Sequence, residues 1–418
     1  MRRRDFLGLT ALASIAPFAH AAATRARAVP RVIIVGGGFG GSACALHLKR
    51  IDASIDVTLI DPDERYVTCP LSNEALVGLR DIKSLTISRD GLRRAGVRYL
   101  RRRASAIDAG RRRIRLDDGA TLDFDRCVVA PGIRFLWNTP EGYDEAAAEH
   151  MPHAWKAGRQ TELLATRLRS MDDGGTVAIS VPAGLMRCPP GPYERASLIA
   201  EFLRQHKPRS KIIILDSNNH FPRQDVFTAA WDAAYRGLIE WIPPTDGGSV
   251  IGVDARRGIV RTSRGSQRVA VANIIPPQAP DAIAADAGLA EGHGWCPVRP
   301  LTFESQNVPR VHVIGDSCIA DAMPKSASAA ASQAKQCATA IAALFAGRIP
   351  PEPDFDSVCY SLTGHDRALS IHGRFGVVDG HIRESAGGAD TVSASDAVAE
   401  AERARKWYRA AVAASFGA

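Results

Sequence analysis

The chain carries eight cysteines, and the one at position 188 has the least ordinary neighbours. It stands in Leu185-Met186-Arg187-Cys188-Pro189-Pro190-Gly191-Pro192-Tyr193-Glu194-Arg195. A strand pattern precedes this run and a helical pattern follows it. A dinucleotide site puts glycines at such a strand-to-helix turn, because a pyrophosphate needs bare backbone amides. Here side chains, prolines and a thiol take that place, so the expected chemistry is sulfur exchange rather than nicotinamide binding. Arg187 and Arg195 give the loop a positive setting, which favours a thiolate. Glu194, six residues beyond the thiol, is a candidate proton acceptor if burial raises its pKa. A first-turn glutamate favoured by the helix dipole is the plainer alternative.

The elements that must position this loop are legible from periodicity. Arg31-Val32-Ile33-Ile34-Val35 is a β-branched run that leads into Gly36-Gly37-Gly38-Phe39-Gly40-Gly41. A helix is expected over Ser42 to Lys49 and a second strand over Asp56 to Asp61. This is a βαβ unit with G-x-G-x-x-G at Gly36, Gly38 and Gly41, and an acid, Asp61, at about the expected 20-residue offset for a ribose hydroxyl. Near the other end of the chain, Val311-His312-Val313-Ile314-Gly315-Asp316 reads as a buried strand ending in Gly-Asp. An aspartate so placed binds the ribityl chain of FAD in flavoproteins of this architecture. The two motifs together favour FAD over NAD at the first site. An Ala-rich helix is expected over Ala327 to Phe345, its N-terminus facing the flavin pyrimidine.

Two further cysteines fall beside this cofactor site. Cys69, in Tyr66-Val67-Thr68-Cys69-Pro70-Leu71-Ser72-Asn73, follows the second strand, and a covalent bond from it to the flavin would retain the cofactor. A structural thiol is the alternative. Cys337 lies on the Ala-rich helix. A Cys188–Cys337 disulfide would join two domains beside the isoalloxazine, against the alternative of two buried thiols acting as small hydrophobes. Cys44 and Cys127 suit that second description.

Between these elements lies another β-α-β alternation: a strand over Gly175 to Ser180, a helix over Arg195 to Gln205 and a strand over Lys211 to Asp216. The expected fold class is α/β, with two Rossmann-like nucleotide-binding domains and a smaller α+β C-terminal domain. The expected boundaries are a leader and linker over 1–29 and a discontinuous FAD domain over 30–140 and 280–346. A second Rossmann-like domain, its nucleotide site lost, covers 141–279. A C-terminal interface domain covers 347–418 and ends in an amphipathic helix over Val398 to Phe416.

At 418 residues, with 45% hydrophobic and 23% charged residues, the composition is that of a globular protein. Arg3-Arg4-Asp5-Phe6-Leu7, the apolar stretch Leu9 to Phe18 and Ala19-His20-Ala21 read as a twin-arginine export signal, which implies a periplasmic protein. Removing residues 1–21 takes Arg2, Arg3, Arg4 and Asp5, lowering the formal charge from +8 to +6. No basic face interleaved with aromatics marks a nucleic-acid site. No other segment is long and apolar enough to be transmembrane. No C-x-x-C pair or Cys/His cluster has zinc spacing, so no metal is expected. No C-x-x-C-H run is present, so any haem must sit on another chain.

These motifs resemble the flavoprotein subunit of flavocytochrome c sulfide dehydrogenase, a relative of the sulfide:quinone oxidoreductases. The likeness rests on the Gly36–Gly41 fingerprint, the runs around Cys69 and Cys188, Gly315-Asp316, Gln333-Ala334-Lys335-Gln336-Cys337-Ala338 and Trp407-Tyr408. The resemblance implies covalent FAD on Cys69, a redox-active disulfide between Cys188 and Cys337 with Glu194 beside it, and a c-type cytochrome partner. Sulfide would attack the disulfide, leave a persulfide, and send electrons through FAD to haem on the partner. The Arg101-Arg102-Arg103 loop and Cys296, Cys318 and Cys359 gain no role from it.

Three other readings compete. A sulfide:quinone oxidoreductase would need an apolar platform at a membrane surface. The C-terminal helix instead carries Glu400, Glu402, Arg403, Arg405 and Lys406. An NAD(P)H-dependent flavin reductase would need the missing second glycine fingerprint. A non-catalytic flavin-binding assembly or regulatory subunit would have no use for the reactive cysteines.

Overall fold

A computed structural model describes residues 29–291, 294–385 and 396–418. The expected export signal lies outside the described residues.

Strands Arg31–Val35, Asp56–Asp61, Arg98–Arg101, Arg126–Val129 and Val311–Val313 form one five-stranded sheet. All its pairings are parallel, and the late strand Val311–Val313 joins at the edge beside Arg126–Val129, with Val311 opposite Cys127. The inner strands are β-branched and buried on both faces, as a parallel sheet covered by helices requires. Helices Phe39–Ile51 and Ala327–Phe345 pack against each other over this sheet. Gly40 faces Ala330 there, and a Cβ at Gly40 would lie 3.7 Å from that of Ala330, so small residues let the two backbones approach closely.

A second parallel sheet, in the order Ile239–Ile242, Lys211–Asp216, Thr176–Val181 and Val271–Ile274, holds the middle of the chain. Helix Gly191–His206 follows its strand Thr176–Val181. The C-terminal part is a three-stranded antiparallel sheet, Phe355–Gly364, Arg367–Val378 and His381–Glu384, backed by helix Ala397–Phe416. The chain is thus α/β with two parallel sheets and an α+β C-terminal part.

Several expected elements differ in their bounds; the first helix, expected over Ser42 to Lys49, runs Phe39–Ile51, and two other differences bear on the site. The helix expected to start at Arg195 begins at Gly191, with proline in its first turn, where the missing N–H costs nothing. Glu194 therefore sits on the helix and not in the loop before it. The strand expected to run to Asp316 stops at Val313, because Gly315 takes φ 73° and starts a one-turn 3-10 helix, Gly315–Ser317. Among the described residues, no helix is long and apolar enough to cross a membrane.

Candidate active site

One cavity of about 570 Å³ opens between the two sheets and the C-terminal strands. Its wall brings together the 36–40 glycine loop, Asp61, Cys69, Arg187, Cys188, Glu194, Asp316 and Cys359.

The glycine loop is a cradle for a dinucleotide. Gly36 has φ 99°, and a Cβ on it would lie 2.3 Å from the Ala130 carbonyl oxygen. A Cβ on Gly41 would fall 1.9 Å from the Gly36 carbonyl oxygen, so neither position accepts a side chain. Gly38 N-caps helix Phe39–Ile51 and lies on the cavity wall. Asp61 accepts from the Gly37 backbone N–H at 2.6 Å and from Arg89 at 3.1 Å. Arg89 is fully buried, lies over the rings of Tyr66 and Tyr99, and also donates to the Gly37 carbonyl. Motif reading missed this clamp because Arg89 lies well beyond the fingerprint, in a run with no recognisable spacing.

At the far side of the cavity, the Gly315 N–H donates to Gln333 Oε1 at 2.7 Å and fixes the turn that presents Asp316. Burial raises the Asp316 pKa, against the pull of Arg187 and Lys325. Ser326 caps helix Ala327–Phe345 by accepting from the Ala329 N–H at 3.1 Å. Residues 326–328 of that helix end line the cavity. A flavin dinucleotide fits this wall: bare backbone for the pyrophosphate, carboxylates at two separated points and a helix N-terminus at the opposite end.

Cys188 adopts φ 53°, unusual for a residue with a side chain. Its N–H donates to the Lys325 carbonyl at 2.8 Å, and its own carbonyl accepts from Gly191 at 2.9 Å. These two bonds hold the left-handed turn. The expected thiolate is not favoured here. Burial pushes the Cys188 thiol well above its usual range, nearby Cys359 and Glu194 raise it further, and Arg187 pulls only weakly the other way. Sequence proximity of arginines misled because Arg195 turns its guanidinium toward Asn73, Asn273 and the carbonyls of His153 and Ala154.

Glu194 is buried, and burial raises its pKa to about 7 despite hydrogen bonds that favour the carboxylate. Asn73 Nδ2 donates to its Oε2 at 3.0 Å, and the Leu362 N–H to its Oε1 at 3.3 Å. The carboxyl thus ties the Cys69 loop to strand Phe355–Gly364.

The Cys188–Cys337 pairing requires correction. Cys337 is fully buried, does not line the cavity, and packs its sulfur against Cys44 of helix Phe39–Ile51. It lies ten residues past Ala327, about 15 Å along the helix from the end that reaches the cavity. The cysteine that shares the cavity with Cys188 is Cys359, on strand Phe355–Gly364. Cys69 completes the set, in the same wall and near the Trp155 carbonyl. All eight cysteines are free in the structure.

The parallel sheets, the glycine cradle and the cysteine-lined cavity define an FAD-dependent oxidoreductase of the pyridine nucleotide-disulfide oxidoreductase fold. Residues 30–166 match the pyridine nucleotide-disulphide oxidoreductase family. Residues 161–276 match the central part of the sulfide dehydrogenase [flavocytochrome c] flavoprotein chain, and residues 351–416 match the flavocytochrome c sulphide dehydrogenase flavin-binding family. The flavoprotein chain of sulfide dehydrogenase from Chlorobaculum thiosulfatiphilum is 56% identical over 43 residues, which are 10% of this chain and 90% of that sequence. The mitochondrial sulfide:quinone oxidoreductase of Dictyostelium discoideum is 22% identical over 315 residues, covering 72% of this chain and 68% of that one. The solved sulfide:quinone oxidoreductase of Aquifex aeolicus superposes with a TM-score of 0.73 at 15% identity, over 93% of each chain. The chain belongs to the flavocytochrome c sulfide dehydrogenase flavoprotein family and is an FAD-dependent sulfide oxidoreductase.

Proposed function

We propose that Cys188 and Cys359 form a redox-active disulfide at which sulfide is oxidised, and that the electrons leave through FAD to a c-type cytochrome. The observation that carries this reading is the convergence of both cysteines, Glu194 and the Asp316 turn on one cavity wall. HS⁻ attacks one sulfur of the bridge. A new S–S bond forms as the old one breaks, leaving a persulfide on the attacked cysteine and a thiolate on the other. Glu194, with its pKa near 7, takes the proton from H₂S as the nucleophile forms. Arg187, also on the wall, offers a positive charge to the departing sulfur. FAD held by the glycine loop, Asp61 and the Asp316 turn would supply the conversion of an electron pair into single electrons that links a sulfur donor to a haem acceptor.

Cys69 is the proposed point of covalent attachment to the flavin, supported by its place in the same wall as the glycine loop and Asp61. The family's flavocytochrome name supports a haem-bearing partner, and the twin-arginine motif supports a periplasmic location. The C-terminal helix supports a protein contact better than a quinone platform. Glu400 pairs with Arg403 on that helix and Arg405 pairs with Glu74 at 3.0 Å, while Glu402, Lys406 and Arg409 are exposed, so charge and not an apolar platform marks its outer face. The test is steady-state turnover of the FAD-loaded protein with sulfide, offering cytochrome c or a soluble quinone in parallel. Faster reduction of the quinone would favour the sulfide:quinone oxidoreductase reading. No turnover with either would favour an assembly or regulatory subunit.

A further inference from the structure

We propose that Cys296 and Cys318 form a structural disulfide that braces the turn presenting Asp316. The two residues are direct partners on neighbouring parallel strands, Cys296–Pro297 and Cys318–Ile319. Neighbouring strands lie about 4.8 Å apart, and opposed residues of a parallel pair project to the same face. A disulfide joins α-carbons about 4.4–6.8 Å apart. Backbone pairing alone therefore brings these two cysteines within bridging range. No such register acts on Cys44 and Cys337, which sit on two separate helices.

Both candidates are enclosed, Cys296 at 0% and Cys318 at 2% exposure. Burial pushes each thiol up to about 12, so neither is suited to serve as a nucleophile while reduced. Neither lines the cavity, which separates them from the sulfide chemistry.

The position explains what a bridge would hold. The Gly315–Ser317 turn ends directly on Cys318. The Lys325 ammonium donates to the carbonyls of Asp316 at 2.9 Å and Cys318 at 2.5 Å, and lies 3.7 Å from the centre of the Trp295 ring. The Lys325 carbonyl in turn accepts from the Cys188 N–H. The Trp295–Cys296 segment, the Asp316 turn and the Cys188 loop thus meet at one lysine. A covalent link between 296 and 318 fixes two of these three segments to each other. The oxidant is a protein or low-molecular-weight disulfide. One cysteine attacks it to form a mixed disulfide and expels a thiol, and the second cysteine then closes the bridge and expels the other thiol. Two protons and two electrons leave with the reduced oxidant. Both sulfurs are buried, so the exchange needs a transient parting of the two strands, each only two residues long.

The test is a non-reducing peptide map of the FAD-loaded protein, with free thiols alkylated during denaturation in acid. The expected result is a cross-linked pair carrying Cys296 and Cys318, two hydrogens lighter than the separate peptides and split by reductant. Recovery of both as alkylated peptides, or of either joined to another cysteine, overturns the proposal. Cys188 and Cys359 are read separately in the same map, so failure of one bridge does not bear on the other. The brace is tested by the double variant Cys296→Ala/Cys318→Ala, which should release flavin absorbance at a lower temperature than the wild type. An unchanged midpoint removes the bracing role.

Discussion

Gly191 lies under the Cys188 thiol so closely that a Cβ at 191 would stand 3.1 Å from its sulfur and 2.8 Å from the Trp155 ring. The bare position is set by the sulfur and the indole and not by a nucleotide. Gly191→Ala should therefore move Cys188 by a few tenths of an ångström or more while keeping the helix, since alanine is a better helix former than glycine. Small displacements of a reacting group are costly, so kcat/KM for sulfide should fall roughly 10- to 100-fold. A variant with wild-type kcat/KM would show that the thiol's placement does not matter to turnover.

The raised pKa of Glu194 gives a pH dependence with a definite sign. Its carboxylate forms only as pH rises through about 7, so sulfide turnover should climb across that value. Glu194→Gln should be slower, and its remaining pH dependence should follow only the fraction of sulfide present as HS⁻ in solution. Stability runs the opposite way. Burial favours the protonated carboxyl, so this contribution is fully present below the unfolded pKa near 4.5 and is lost as pH rises through about 7. The shift corresponds to on the order of 3 kcal/mol. Denaturant titrations at both ends of that window should show the wild type losing stability relative to Glu194→Gln as pH rises. Parallel curves for the two proteins would contradict the assignment.

Arg89 is a buried cation whose charge partner is Asp61. Arg89→Met leaves Asp61 without that partner and removes a donor from the Gly37 carbonyl. Breaking a buried pair by removing one partner costs about 3–5 kcal/mol. The expected outcome is a lower unfolding midpoint together with a reduced ratio of flavin to protein absorbance. Full flavin occupancy with an unchanged midpoint would show that the clamp is incidental to the dinucleotide cradle.

Cys69 has a direct chemical test. Acid-denatured wild type should carry the mass of FAD on the polypeptide, while Cys69→Ser should release its flavin into the supernatant. Release from both proteins would leave Cys69 as an ordinary thiol of the cavity wall.

The parts of this site that were readable in the sequence are those where local pattern and global position agree. Gly36 and Gly41 could be placed because a strand, a helix and an acid at fixed spacing surround them. Helix Ala327–Phe345 was likewise fixed by its own composition and kept its bounds. What failed was the step from helix to facing. Cys337 is on the right helix, yet three turns of rise and the packing against Cys44 carry it away from the cavity. Cys359 was out of reach because its strand reaches the cavity through tertiary docking against helices Gly191–His206 and Ala327–Phe345. Arg195 was misjudged for the same reason. Its charge is near Cys188 in sequence, but its hydrogen bonds are all made elsewhere.

The most direct measurement compares Cys359→Ser with Cys337→Ser in sulfide-dependent cytochrome c reduction by the FAD-loaded protein. If Cys188 and Cys359 are the working pair, Cys359→Ser loses at least about 100-fold in rate, as expected when one member of a catalytic unit is removed. Cys337→Ser keeps most of its rate, with only a modest loss of stability from a buried hydroxyl. A fully active Cys359→Ser, or a dead but correctly folded Cys337→Ser, would contradict the account.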